Sequence, residues 1–310
     1  MRQQHSRSLI SADRVRPALV ASLAGALAAA AAVASPPPGI LAHWTFDQVG
    51  SATAVDGVGG ANGTLVGGAA MVAGGVSGGA LQLSSATGSL VDMGNVFPLL
   101  GATPCTVACW VKCPQGSSGP FIPVSRHAAG TLNGWFVGLG SGSACYGAPG
   151  SAWGYRSNVC GGESIGTTAV LDGQWHFIAI TAHPNTGSRI YVDGGPPEDV
   201  KPLTNVQPNG VSLLVGGYTN GGVPTNAFDG LIDDLQIYGR ALTCWEVNLL
   251  FSTPAAESQF EVDLNGDGIV DGADLGLLLA NWGTPACDLN GDGIVDGGDL
   301  GVMLGNWGSC

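Results

Sequence analysis

A pattern of oxygen-bearing side chains near the C-terminus has the spacing of a metal-binding loop, and it occurs twice. The copies occupy residues 263–283 and 288–308, and 17 of their 21 aligned positions are identical. A hard cation such as calcium takes about six to eight oxygen ligands, and this spacing wraps them around one point. Loop positions 1, 3, 5, 9 and 12 carry Asp or Asn and position 7 offers its carbonyl: Asp263, Asn265, Asp267, Ile269, Asp271 and Asp274, then Asp288, Asn290, Asp292, Ile294, Asp296 and Asp299. The sequence therefore predicts two calcium ions, with binding coupled to folding because the carboxylates of an empty loop repel one another.

Each loop leads into an apolar stretch that predicts one short helix, ending at Gly283 or Gly308. No amphipathic helix precedes either loop, and position 12 is Asp where an ordinary EF-hand has Glu. A duplicated unit of one loop and one helix resembles a type I dockerin over residues 263–310. The resemblance implies a module that docks a secreted protein onto a cohesin, usually within a polysaccharide-degrading assembly.

Two features set this module apart from well-studied type I dockerins. Positions 10 and 11, which help to select the cohesin in that family, are Gly272-Ala273 and Gly297-Gly298, and residues 263–310 contain eight Asp and no basic residue. We therefore expect a divergent cohesin, another secreted surface or the neighbouring domain as the partner, and no binding to the cohesins of well-studied cellulosomes. The expected apolar anchors, unless they pack inside the module, are Leu278 and Trp282, or Met303 and Trp307.

The N-terminal residues 1–34 have the composition of a secretory signal peptide. Four Arg are followed by an Ala-rich apolar run and an A-x-A cleavage pattern at residues 32–34. An uncleaved anchor is the alternative, but the run is short for a bilayer and rich in weakly hydrophobic Ala. The net charge is −13, and removing the four Arg and one Asp of this segment leaves −16. The sequence thus predicts an extracellular or cell-surface location, no membrane span after cleavage and no nucleic-acid partner.

Eight cysteines, none in a C-x-x-C pair, fit an oxidising compartment better than zinc or redox chemistry. Cys287 and Cys310 bracket the second loop and are predicted to form a disulfide that closes it. Cys145 and Cys160 are a candidate hairpin clamp. Four cysteines stay unassigned, three of them on one face of an alternating strand where they cannot all pair locally: Cys105, Cys109, Cys113 and Cys244.

Residues 39–251 predict an all-β domain, followed by a linker at residues 252–262. Short alternating or apolar runs are separated by Gly, Asn and Pro, as at residues 105–112, 175–182 and 231–238. A T-x-x-E capping box at Thr243 and Glu246 predicts one short helix near the end of the domain. The fold class is therefore mainly β, a sandwich or jelly roll, plus the small helical calcium-loop module.

Several phrases of this domain carry a family resemblance. Residues 43–47 read HWTFD and residues 106–112 read TVACWVK; three further phrases follow at residues 173–179, 189–194 and 228–242. In this order they are similar to a LamG-like jelly roll, the concanavalin A-like lectin/glucanase fold. The resemblance implies the fold strongly and the function weakly, because the fold hosts lectins, adhesion modules and glycosidases.

One carboxylate of the β domain is predicted to lie on an apolar strand face. Asp233 alternates with Leu231, Leu235 and Ile237, and a buried carboxylate needs a metal or hydrogen-bond donors. A structural calcium, held together with Asp56 or Asn62 of the Gly-rich loop at residues 56–63, is one interpretation, and such an ion occurs in relatives of this fold. Hydrogen bonds from backbone amides are the other interpretation, and the sequence leaves both open.

Two tryptophans are candidates for sugar binding. Trp135 and Trp153 lie near Gly-rich segments, where an indole ring could stack on the C–H face of a sugar; ordinary core packing is the alternative.

The catalytic motifs that this fold would need are missing from the sequence. It has no E-x-D-x-x-E strand of the jelly-roll glucanases, no G-x-S-x-G, no H-E-x-x-H and no P-loop. The favoured function is a secreted, non-catalytic, lectin-like protein that binds a glycan or glycoprotein and carries a calcium-dependent docking module. The alternatives are a dockerin-borne hydrolase of O-glycosyl bonds and a calcium-stabilised adhesion protein of the cell surface.

Overall fold

The structure is a computed structural model that describes residues 37–140, 149–157, 162–252, 262–265, 269–284, 286–287, 289 and 294–308. Several predicted features lie outside these residues, namely the signal peptide, the linker at residues 253–261, Cys145, Cys160, Cys310, and the loop ligands Asp267, Asp288, Asn290 and Asp292. None of the described helices combines the length and the apolarity that a membrane span requires.

Strands dominate the described residues, with three short helices near the C-terminal end. The strands are β1 (Ile40–Trp44), β2 (Thr53–Ala54), β3 (Gly63–Val66), β4 (Ala70–Ala73), β5 (Gly79–Leu83), β6 (Leu90–Asp92), β7 (Cys105–Lys112), β8 (Phe121–Ala128), β9 (Asn133–Leu139), β10 (Ser151–Ser157), β11 (Ser164–Ala169), β12 (His176–His183), β13 (Gly187–Val192), β14 (Asp199–Lys201), β15 (Leu214–Val215), β16 (Tyr218–Asn220), β17 (Val223–Thr225) and β18 (Gly230–Tyr238). The α-helices are α1 (Cys244–Ser252), α2 (Gly272–Ala280) and α3 (Gly297–Gly305).

The described strands form two large antiparallel sheets that enclose one apolar core. The first sheet has the order β14-β13-β12-β7-β18-β5-β4, with β1 also paired to β18; the second has the order β11-β10-β9-β8-β15-β6-β3-β2. Side chains of both sheets meet in the core, including Trp44, Ile178 and Ile237 of the first and Val124 and Val137 of the second. The predicted β-sandwich is confirmed.

The outer face of the first sheet is covered in part by α1. Along β7 the inward positions include Cys109 and Val111, while Ala108 and Trp110 face outward and pack with Val247 and Leu250 of α1. The helix begins where predicted, because the Thr243 hydroxyl accepts the Glu246 N–H at 3.3 Å and a Glu246 oxygen accepts the Thr243 N–H at 2.9 Å. This reciprocal pair is the predicted capping box.

A bulge in β18 changes the predicted placement of Asp233. The register with β7 shifts between Asp233 and Gln236, and Asp234 has a φ of 45°. Before the shift, Ile232 faces the core and Asp233 pairs with the outward Trp110. The prediction that Asp233 shares a face with Leu235 and Ile237 is therefore wrong, because one extra residue reverses the alternation.

The described C-terminal residues form a small module with a pseudo-two-fold arrangement. The Gly283 N–H donates to the Val295 carbonyl at 2.9 Å, and the Gly308 N–H donates to the Val270 carbonyl at 2.7 Å. Each repeat thus bonds to the other through equivalent residues. Both helices are present, but their C-cap residues are Asn281 and Asn306, two residues before the glycines that were predicted to stop them.

Candidate functional site

The loop residues that the structure describes are compatible with the predicted calcium sites. Asp263, Asp274 and Asp299 are 0–1% exposed, although residues 263–310 contain no basic residue to neutralise them. A buried carboxylate requires a counter-charge or hydrogen bonds, so this oxygen-only donor set suits a hard cation. Among the described residues no cluster of three or more His, Cys, Asp or Glu is arranged to hold a metal ion.

The same loop aspartates also organise the two helices. Asp271 is the N-cap of α2, and its side chain accepts the Ala273 N–H at 2.7 Å. Asp274, at loop position 12, accepts the N–H groups of Asn265 at 3.1 Å and Asp271 at 2.8 Å. Asp296 and Asp299 repeat this capping box on α3. Loop closure and helix initiation therefore depend on the same carboxylates.

The Asp56 carboxylate in the jelly roll accepts hydrogen bonds from the backbone. It accepts the N–H groups of His43, Val58, Gly59 and Ala61 at 2.9–3.1 Å. Burial raises its pKa, but these four hydrogen bonds outweigh burial and hold the pKa below its usual value. Asn62 serves the same loop, because its side-chain oxygen accepts the Asp56 N–H at 2.9 Å.

Asp233 is fully buried and is likewise held by backbone donors. One oxygen accepts the N–H groups of Val76 at 2.7 Å and Ser77 at 3.2 Å, and the other accepts the Asp234 N–H at 2.8 Å. Asp56, Asn62 and Asp233 therefore all accept hydrogen bonds from backbone amides, as in the second of the two interpretations left open, and the calcium interpretation stays a prediction. Burial, with the neighbouring Asp234 carboxylate, raises the pKa of Asp233 to about 7.

Trp135 and Trp153 are not available to a sugar. Trp135 is 4% exposed and faces the inter-sheet core, where it lies between Arg126 and Arg156 in the strand register. Trp153 is fully buried and packs edge-on against Phe136, with ring centroids 5.1 Å apart. The stacking prediction is wrong because both rings lie on strands, where the packing of the sandwich encloses them.

The cysteines also depart from the predicted pairing. Cys287 carries a free thiol, so the structure does not contain the predicted bridge to Cys310. Cys105, Cys109 and Cys113 are free and buried in the inter-sheet core, all on one face as expected. Burial raises the pKa of Cys109 to about 12. Cys244 is disulfide-bonded, and its partner lies outside the described residues.

An open cleft of about 800 Å³ lies at one end of the first sheet, and we call it the sheet-end cleft. Gln82, Leu231 and Lys112 are register neighbours on β5, β18 and β7 and lie side by side across it. The remaining lining comes from the ends of β5 and β18 and from nearby turns and loops, and half of its residues carry polar side chains: Gly68, Leu83, Ser84, Thr87, Cys113, Pro114, Gln115, Asp172, Gly173, Gln174, Asp229 and Gly230. This volume and this set of convergent polar groups fit a small polar ligand.

The charges in the sheet-end cleft are one cation and two carboxylates. Lys112 comes from the end of β7, Asp229 from the residue before β18, and Asp172 from the loop before β12. Asp229 accepts the Ser85 N–H at 3.3 Å, which links it to the loop after β5. Amide, hydroxyl, ammonium and carboxylate groups together can both donate to and accept from the hydroxyl groups of a sugar.

One wall of the cleft is connected to the sandwich through a histidine. His176 Nε2 lies 3.1 Å from Asp172 Oδ1, and His176 Nδ1 lies 2.9 Å from Asp193 Oδ2. The Asp193 hydrogen bond contributes most to raising the pKa of His176, and it outweighs burial of the ring; Asp172 adds to it. The pKa of Asp172 is lowered most by the hydrogen bond from the Gln174 N–H, and the hydrogen bond from His176 makes the next largest contribution.

The family of the chain follows from a match over more than half its length. Residues 78–248 match the Laminin_G_3 model, described as the concanavalin A-like lectin/glucanases superfamily. The chain belongs to this superfamily. The matched segment contains β5, β7, β12 and β18, so it covers all four strands that border the sheet-end cleft. No curated protein sequence matches the chain.

Solved structures share the fold at low sequence identity. The binding domain of Paraclostridial mosquitocidal protein 1 is 17% identical, with a TM-score of 0.52 over 70% of this chain and 52% of that one. The binding domain of botulinum neurotoxin serotype D is 15% identical, with a TM-score of 0.50 over 69% and 51% of the two chains. This chain thus spans about half the length of these two neighbours.

A third structure aligns along nearly its whole length. It is domain 4 of an extracellular arabinanase from Geobacillus stearothermophilus in complex with arabinotriose, with 22% identity, a TM-score of 0.49, and coverage of 70% of this chain and 98% of that one.

Sequence reasoning missed the sheet-end cleft. Its polar residues follow or precede strands as single side chains, and no local motif joins them. The available signals were the Asp172-Gly173 turn and the Asp229-Gly230 pair, each a loop residue at a strand end. Their convergence depends on the order of β5, β18, β7 and β12 in the sheet, which spacing along the chain does not reveal.

Proposed function

We propose that this chain is a secreted carbohydrate-binding protein whose jelly roll binds a glycan in the sheet-end cleft. The observation that carries the proposal is the cleft itself, where charged, amide and hydroxyl side chains converge on about 800 Å³ of open space. The superfamily membership supports the fold, and lectins are among its functions. Recognition rests on hydrogen bonds, since the two candidate stacking rings are buried.

A titration of the full chain with a panel of neutral and acidic oligosaccharides tests this proposal. We expect Lys112→Ala or Asp229→Asn to weaken binding about tenfold or more, the size of a lost charge-assisted hydrogen bond. Lys201→Ala is a matched control, because Lys201 lies on edge strand β14 and pairs with Asp199 outside the cleft. The proposal would be contradicted if both cleft variants bound with unchanged affinity, or if no oligosaccharide of the panel bound.

A glycoside hydrolase is the second candidate, because Asp172 and Asp229 line the same cleft. Glycoside hydrolysis usually uses two carboxylates on either side of one bond. The same panel should therefore be assayed for new reducing ends. Release that is lost in Asp229→Asn would favour the enzyme, and stable binding without release favours the lectin-like function.

For the C-terminal module we propose a calcium-folded docking function of the dockerin type, in a protein exported by its N-terminal signal. The reciprocal Gly283–Val295 and Gly308–Val270 hydrogen bonds and the buried loop aspartates support this proposal. Leu278 and Met303 are fully buried, so they are not anchors for a partner; Trp282 and Trp307 are about half exposed. A pull-down from the secretome of the source organism, with and without chelator, tests it: a calcium-dependent cohesin-like partner is expected, and equal capture in both arms would contradict it.

A further inference from the structure

We propose that His176 is a positioning residue for the sheet-end cleft. It holds the wall that contains Asp172 in its binding shape only while both nitrogens of the His176 ring carry protons. This inference rests on the proposed glycan-binding function of the cleft. It adds a regulatory element that neither the family nor the fold implies, because it depends on three side chains of this chain, namely Asp172, His176 and Asp193.

One end of this connection is fixed in the first sheet. Asp193 follows β13, where its backbone N–H donates to the Phe177 carbonyl at 2.9 Å. Its Oδ1 accepts the Phe177 N–H at 2.9 Å, and its Oδ2 faces His176 Nδ1 at the same distance. Three interactions therefore hold Asp193 against β12, and they orient the imidazole ring.

The other end of the connection forms part of the cleft. Asp172 Oδ1 receives two donors, the Gln174 N–H at 2.8 Å and His176 Nε2 at 3.1 Å. Neither of these hydrogen bonds uses its Oδ2, which leaves that oxygen to accept from a ligand hydroxyl group. The loop of residues 172–174 lines the cleft, so the position of Asp172 fixes part of the binding surface.

Both ring nitrogens face carboxylate oxygens, and a carboxylate can only accept. The doubly protonated imidazolium donates to both, whereas a neutral ring donates to one. The remaining proton stays with Asp193, whose contact is shorter and whose side chain is 36% exposed, against 48% for Asp172. Deprotonation therefore releases Asp172 and leaves the ring bonded to the sheet.

Among the residues that the structure describes, the charged groups that contact the His176 ring are the two carboxylates. Asp172 comes from the loop after β11, and Asp193 from the turn after β13. On the third side β7 presents Val111, the register partner of His176. Lys112 and Asp229 lie in the cleft without a hydrogen bond or ion pair to the ring.

The direction of the pH dependence follows from these contacts. The pKa of His176 is raised by Asp193 and Asp172, so the connection is complete below the ordinary histidine pKa and is lost as the pH rises through the raised value. The pKa of Asp172 is lowered, which keeps this carboxylate charged at mildly acidic pH. Ligand affinity should therefore be highest at mildly acidic pH and fall as the pH rises through the raised pKa of His176.

A titration of the ligand-free full chain tests the ring directly. Nitrogen NMR of the histidine ring should show His176 titrating above the ordinary pKa, and the neutral form should keep its proton on Nδ1. Asp193→Asn should lower that pKa. Titration at or below the ordinary value in the unmodified chain would overturn the proposal, and so would an unchanged pKa in Asp193→Asn.

A second experiment measures glycan affinity against pH, with the oligosaccharide that binds best at pH 6. We expect about a tenfold loss through the His176 titration, and the same loss at all pH values in His176→Asn, whose short amide reaches Asp193 but not Asp172. His176→Gln should restore affinity without the pH dependence, because its longer amide offers one uncharged donor to Asp172. His183→Asn, at the other end of β12, is the control and should keep the unmodified profile.

The outcomes separate this inference from the proposed function. If no oligosaccharide binds at any pH, the glycan-binding function fails, while the NMR titration still decides the role of the ring. If a glycan binds with equal affinity on both sides of the His176 titration, the function stands and the positioning role is wrong. If His176→Asn unfolds, the pH profile of the unmodified chain and the NMR titration still decide between these outcomes.

Discussion

The jelly roll and the C-terminal module both bury carboxylates that accept backbone N–H groups, but the module concentrates them in a segment without a basic residue. In the jelly roll, Asp56 accepts four backbone N–H groups and Asp233 accepts three, so the chain itself supplies the donors. In the module, Asp263, Asp274 and Asp299 are equally buried, in a segment with eight Asp and no basic residue. Asp on a buried loop therefore does not by itself indicate a metal.

The difference follows from how much apolar core each region has. The sandwich encloses a large core between two sheets, and that core can fix a Gly-rich loop around one carboxylate. Among the residues of the module that the structure describes, six apolar side chains are buried, with two nine-residue helices around them. A core of this size seldom stabilises a fold alone, so the charge that it concentrates should be used to bind a cation.

Chelation is the sharpest way to test this comparison, and it has the largest expected effect. Removing calcium should unfold residues 262–310 and leave the sandwich intact, because the two proposed calcium loops lie in the module. At a free calcium concentration about 1,000 times the Kd, each site stabilises the module by about 4 kcal/mol. Circular dichroism and calorimetry of the full chain should show helix loss and disappearance of one thermal transition. A sandwich transition that shifts equally would contradict the separation.

Asp56→Ala tests the opposite case in the jelly roll. The substitution leaves four N–H groups without their acceptor, so the free energy of unfolding of the sandwich should fall by about 2–5 kcal/mol. Urea denaturation with and without calcium measures the effect, which should be the same in both conditions. Asp56→Asn, which keeps one acceptor oxygen, is the control and should lose less. A loss that appears only in calcium would instead indicate a metal at this loop.

Asp233 should have a smaller effect on stability, and this effect depends on pH. The pKa of Asp233 is shifted upward, whereas that of Asp56 is shifted downward. The pKa of Asp233 is raised to about 7, so the folded chain holds a proton that the unfolded chain releases at lower pH. The sandwich should lose about 1–3 kcal/mol as the pH rises from 4 to 7, because the unfolded chain is stabilised by ionising this carboxyl group while the folded chain keeps it protonated beside Asp234. Denaturant midpoints across this range measure it, and Asp233→Asn should flatten the profile. Midpoints that rise in parallel for both chains would contradict the assignment.

Much of the fold could be predicted from the sequence because its signals are local. The alternation of residues 105–112 gives β7 with its observed bounds, and the Thr243–Glu246 capping box gives the start of α1. The duplicated unit likewise predicts two helices, which begin after Asp271 and Asp296. Each of these elements is determined by residues within a few positions of one another.

The rest of the prediction failed where partners are distant in the chain. The bulge at Asp233 depends on β18 exchanging β5 for β1 as its neighbour, and no local pattern encodes that exchange. Trp135 and Trp153 looked accessible beside glycines, yet those glycines belong to packed strands. Asp172 and Asp193 are 21 residues apart and meet only through the His176 ring.

The smallest effect on stability, and the sharpest test of the module as a docking surface, should come from its exposed tryptophans. Trp282 is 46% exposed and Trp307 is 47% exposed, at equivalent places in the two repeats. Either residue changed to Ala should alter the free energy of unfolding by about 0.5 kcal/mol or less, as is usual for surface positions. Leu278→Ala is the matched control: this side chain is fully buried in the same helix region, and its loss should cost about 2–5 kcal/mol.

Because the repeats are related by a pseudo-two-fold axis, each single tryptophan variant should keep partner binding in the pull-down through the other repeat, and the double variant should lose it. Loss of binding in one single variant alone would mean that the two faces are not equivalent.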